Sequence, residues 1–160
     1  MANPLPKSAF LTDLKTHIEQ HCETVASVFQ PLEDRQLNWR PDSKAWNILQ
    51  CFDHLNLTHE YYTPRIKSAL VKPRPVSPAK DSYKPSFWGR IYMYFALNSR
   101  YSFPTAEAIT PEPTASREVL AVYLTKQISL LEILDQVDHV DLSQTPIPIE
   151  KGVKFNLAIV

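Results

Sequence analysis

Fourteen prolines stand against two glycines in these 160 residues, and that ratio constrains the fold more than any other feature of the chain. Tight two-residue hairpins need positive φ, which glycine adopts most readily, so a chain this poor in glycine makes few of them. The prolines fall between segments of periodic apolar residues, where they punctuate helices. Within those segments the apolar residues recur in steps of three and four, one face of a helix. No strand-like alternation of useful length appears. The expected fold class is therefore all-α, a four-helix bundle with long proline-containing connections.

The first helix is expected over residues 8–30, with a stripe of Leu11, Leu14, Ile18, Val25 and Val28. His21 fills its missing position, and Pro31 ends it. Asp42 or Ser43 offers an N-cap for a second helix over residues 43–71. Its stripe reads Ile48, Phe52, Leu55, His59, Tyr62, Ile66, and Pro64 inside the run removes one backbone bond and should kink it. Residues 72–86 are a proline- and lysine-rich loop. A short third helix over residues 86–98 places Trp88, Ile91, Tyr92 and Phe95 on one face. A fourth, from Ala115 or Ser116 to Val137, carries Leu120, Leu124, Ile128, Leu131 and Leu134. After a loop over residues 138–152, Phe155, Leu157, Ala158 and Ile159 read as the opening of another apolar helix, which the end of the chain at Val160 cuts short.

The length fits a single domain spanning residues 1–160, large enough for a core without staples. Basic and acidic residues balance at 17 each, which argues against a nucleic-acid partner. No apolar run of about eighteen residues is present, so no membrane helix is expected. Cys22 and Cys51 lie on different helices and form no CxxC, which suits a reduced, cytoplasmic protein.

Five histidines are available for chemistry: His17, His21, His54, His59 and His139. His17 and His21 form an HxxxH on the first helix, but only His21 lies on the apolar stripe, and no third ligand stands nearby in sequence. His54 and His59 are five apart, about 500° of rotation, so they point to different sides. Periodicity chooses His59 for the interior and leaves His54 on the flank. His139 suits the C-terminal end of the fourth helix as a cation. Cys51 lies one turn from His54, so a Cys–His pair is sterically open, although a structural cysteine is the plainer reading. No nucleophile elbow and no phosphate-binding glycine loop is present.

One segment is more specific than the rest. Residues 37–55 read L-N-W-R-P-D-S-K-A-W-N-I-L-Q-C-F-D-H-L. Trp39 before Pro41, a capped helix start, a second aromatic at Trp46 and then His54 followed by an apolar residue resemble the DinB-like (DinB/YfiT-like) metalloenzyme superfamily. The resemblance implies a four-helix bundle that holds a divalent metal, zinc or nickel, with three histidines. One comes from the second helix and corresponds to His54. The other two come from an HxxxH on the last helix, which would lie past Val160, so the chain carries one ligand of three. A zinc site needs three or four protein ligands, and the metal is expected only with those C-terminal histidines. The resemblance further implies metal-dependent transfer involving a low-molecular-weight thiol, or isomerisation that uses one, and the expected enzyme is a metal-dependent transferase or hydrolase acting on a small molecule. A homodimer is a separate expectation. The alternative is a non-catalytic helical bundle that binds a small ligand or pairs with itself through the face at Trp88 to Phe95.

Overall fold

A computed structural model describes residues 5–71, 82–83, 87, 90–91, 94, 105–137, 140, 146–150 and 153–156. Its helices are α1 (Lys7–Thr24), α2 (Asp34–Leu37), α3 (Ile48–Val71) and α4 (Glu118–Gln136). A π-helical turn, Val25–Phe29, carries α1 onward. A 3₁₀ turn, Glu107–Ile109, precedes α4. Phe87, Arg90, Ile91 and Tyr94 are helical, inside the third helix that the sequence predicts. Trp88, Tyr92 and Phe95, the rest of that face, lie outside the described residues, as does His139.

Helix content and order follow the sequence, but the buried faces do not. On α1, Leu11, Ile18 and Val25 are buried as expected, whereas Val28 and His21 are exposed. Cys22 and Phe29 stand in their places, both half-buried. The π turn explains the second change: with more residues per turn, the fourth residue after Val25 returns to its face, not the third. On α3 the buried set is Leu49, Gln50, Phe52, Asn56, Thr63, Ile66 and Ala69, while Leu55 is exposed. On α4 it is Leu120, Tyr123, Gln127 and Ile133, and Ile128 is 59% exposed. In both helices polar residues that can bond inside the protein take positions that a count of leucines assigns elsewhere.

The start of α3 also differs. Its cap is Asn47, not Asp42 or Ser43. Asn47 Oδ1 accepts the Gln50 N–H at 2.8 Å, and Gln50 Oε1 accepts the Asn47 N–H at 3.2 Å. This reciprocal pair is a capping box. Asp42 instead closes a turn upstream, accepting the N–H groups of Lys44 and Ala45. Pro64 lies inside α3, which continues past it to Val71.

Two short antiparallel pairs accompany the helices. Leu5–Pro6 pairs with Ser82–Tyr83, and Pro146–Glu150 with Val153–Asn156. The second pair overturns the helix expected from Phe155, at least through Asn156; residues 157–160 lie outside the described set. A helix of a turn and a half is costly to nucleate, and here the preceding segment supplies hydrogen-bond partners. The ladder is irregular between Pro148 and Glu150, as befits a strand containing a residue that cannot donate.

The chain divides into two compact units. One comprises Met1–Leu14, Tyr62–Pro104 and Ile133–Val160; the other comprises Lys15–Tyr61 and Thr105–Glu132. In the first, Leu11, Ile66, Ala69, Ile133 and Val137 form the core, with Phe10, Tyr62, Leu70 and Leu134 against it. In the second, Val25, Leu37, Leu49, Phe52, Leu120 and Tyr123 do so. Phe52 is central there, edge-on to Phe29 at 5.2 Å and to Tyr123 at 5.1 Å between ring centroids.

Candidate functional site

His54 lies in the second turn of α3 and is half-buried. Its Nδ1 is 2.7 Å from the Ile109 carbonyl oxygen. A carbonyl only accepts, so Nδ1 carries the proton. In the neutral ring Nε2 then holds a lone pair, and among the described residues nothing bonds it. The imidazole also packs against Trp46, centroids 5.1 Å apart and planes tilted by 42°. Trp46 thus has a definite task at the site. Trp39, by contrast, is 66% exposed.

The carbonyl that orients His54 belongs to a strap that precedes α4. The strap begins with the 3₁₀ turn, in which Ile109 N–H donates to the Ala106 carbonyl at 3.0 Å. It then passes over α3 through buried Pro111 and exposed Glu112. Asp53 Oδ2 accepts the Glu112 N–H at 3.1 Å, and Gln50 Nε2 donates to the Glu112 carbonyl at 3.0 Å. Arg40 donates to the Pro113 carbonyl at 3.1 Å. Farther along, Arg117 bonds Asp34 and the Leu32 carbonyl at 2.9 and 2.8 Å, and also donates to the Gln30 carbonyl. These donors satisfy carbonyls left open where the α1 helix ends.

His17 and His21 are exposed on α1, and His59 is half-buried on α3. Cys51 is exposed, and desolvation pushes its thiol up from the ordinary 9.0. Such a thiol holds less thiolate at neutral pH, which weighs against a Cys–His nucleophile. Burial also pushes up Cys22, helped by Glu19, and Tyr123, helped by Cys22. Sequence reasoning missed Gln50, Asp53 and the Ile109 carbonyl. The N-x-x-Q cap pattern was a readable signal for Gln50; a backbone oxygen distant in sequence leaves none.

A carbonyl on Nδ1 is the usual outer support of a histidine that ligates through Nε2. In that respect His54 fits the metal that the family resemblance implies. The full set does not: among the described residues, no three His, Cys, Asp or Glu side chains are placed to hold a metal ion. Also among them, no helix is long and apolar enough to cross a membrane.

No curated protein and no solved structure matches the chain. The DinB superfamily model matches residues 17–159, a span that holds the His54 site, its strap, α2, α3, α4 and the second half of α1. By that match the chain, all-α in its fold class, belongs to the DinB superfamily.

Proposed function

We propose that this DinB-superfamily chain is a metal-dependent enzyme in which Nε2 of His54 is the ligand from α3. The reaction is transfer involving a low-molecular-weight thiol, or hydrolysis, on a small-molecule substrate. The observation that carries the reading is the 2.7 Å contact from His54 Nδ1 to the Ile109 carbonyl, which leaves Nε2 as the ring's only lone-pair nitrogen. A bound zinc or nickel ion would lower the pKa of a thiol or water at its open position. The remaining ligands come from outside the described residues.

The test is metal uptake by the full-length protein. After loading with zinc or nickel and desalting, elemental analysis should find roughly one metal per chain, and His54→Ala should abolish it. A His17→Ala, His21→Ala double variant should keep full occupancy, which separates the site from the exposed pair on α1. Undiminished metal in His54→Ala would remove the assignment. No metal in the parent protein would leave the non-catalytic bundle as the better reading.

A further inference from the structure

His54 is one of three side chains on the first turns of α3 that grip the same strap. Gln50 and Asp53 hold the carbonyl and the N–H of a single residue, Glu112. Between that clamp and the Ile109 oxygen lie only Thr110 and buried Pro111. Proline fixes its own φ, and Pro113 restricts Glu112 as well. The 3₁₀ turn pins the other side of Ile109 through its N–H and through Thr110, whose hydroxyl donates to the Ala106 carbonyl at 3.0 Å. The Ile109 oxygen is therefore anchored on both sides, with little slack in the chain between the anchors.

We infer that Asp53 and Gln50 are positioning residues for His54: by clamping both backbone groups of Glu112 they hold the Ile109 carbonyl where it keeps the imidazole in its Nδ1–H form. Gln50 serves the α3 cap and the strap at once. Its Oε1 belongs to the α3 cap, and its Nε2 reaches the Glu112 carbonyl and, at 3.5 Å, the Pro113 carbonyl. Asp53 is a cleaner point of attack, because its one bond in this network is to the strap. The tautomer is a property of the protein alone; only its value to a metal rests on the reading proposed above.

The test reads the His54 ring nitrogens by long-range 15N–1H correlation at pH 8. The parent protein should give a protonated Nδ1 and a lone-pair Nε2. Asp53→Ala should mix the two tautomers, drawing both nitrogen shifts toward each other. Asp53→Asn keeps an acceptor oxygen and should restore the parent spectrum. If Asp53→Ala does not fold, Glu112→Pro deletes the same bond from the strap side and should give the same mixing. A parent-like tautomer in a folded Asp53→Ala or Glu112→Pro protein overturns the inference. Metal affinity is read in parallel and should fall about tenfold to a hundredfold in Asp53→Ala. Absence of metal binding in the parent would sink the proposed function while the tautomer still decides the role of Asp53.

Discussion

The two compact units use different kinds of interior. The unit around Ile66 and Ile133 has a core of aliphatic side chains; among its described residues the buried polar ones are Thr63 and Lys7, whose Nζ donates to the Val140 carbonyl at 2.9 Å. The unit around Phe52 has an aromatic center and a buried polar seam. There Asn56, only 4% exposed, donates to the Val119 carbonyl, and Lys126 reaches the Asn56 carbonyl and Glu60. The same unit carries the capping box, the strap and His54. Buried polar groups are costly unless paired, and paired ones allow few alternative arrangements. An interior of this second kind is thus suited to holding one imidazole in one orientation, which an aliphatic core gives no means of doing.

Removing the aromatic center should have the largest effect. Phe52→Ala should cost about 3–5 kcal/mol in denaturant unfolding, from lost burial, a cavity and two edge-on ring contacts. Hydrogen exchange should rise most in residues 48–61 and 118–132. Equal exposure throughout the other unit would erase the contrast between them.

Lys7→Met tests a polar element of the aliphatic unit. It removes the donor to the Val140 carbonyl while keeping much of the side-chain bulk, and should cost about 1–3 kcal/mol by thermal or chemical unfolding. A neutral result would show that water serves that carbonyl equally well.

Alkaline pH should act chiefly on the aromatic unit and more gently. Burial pushes the Cys22 thiol above 9.0 and the Tyr123 hydroxyl above 10.0, so the folded state keeps both protons longer than the unfolded chain does. The stability linked to these groups is fully present below the unfolded values. It is lost as pH rises from about 9 through the raised folded values. Cys22→Ala should flatten this decline in a pH series of unfolding midpoints, because it removes one of the three raised groups, Cys51 being the third, and a charge that acts on Tyr123. A decline as steep as the parent's would show that other groups set the alkaline limit.

Much of the fold was legible because helix breaks and helix periodicity are local. Prolines and three-four spacing located α1, α3 and α4 and the helical residues between Phe87 and Tyr94. Finer features failed where a local rule met a competing one. Asp42 is a sound cap by type, but Asn47 has Gln50 three residues on to complete the reciprocal pair. Leu55 and Ile128 are sound core residues by hydropathy, yet both are exposed. Phe155 heads an apolar run, but a strand partner lies within ten residues. At the site, the sequence marked His54 through its surroundings in residues 37–55 and could not say what its ring would touch.

The sequence by itself determined that this chain is helical, where its long helices break, and that His54 follows a capped helix start one turn after Cys51. Those are matters of φ, ψ and residues a few positions apart. Tertiary structure decided which stripe of each helix is buried and which nitrogen of His54 carries the proton. The second decision rests on a carbonyl 55 residues away in sequence. Its placement depends on how Asp53 and Gln50 hold a strap that has no periodic pattern of its own.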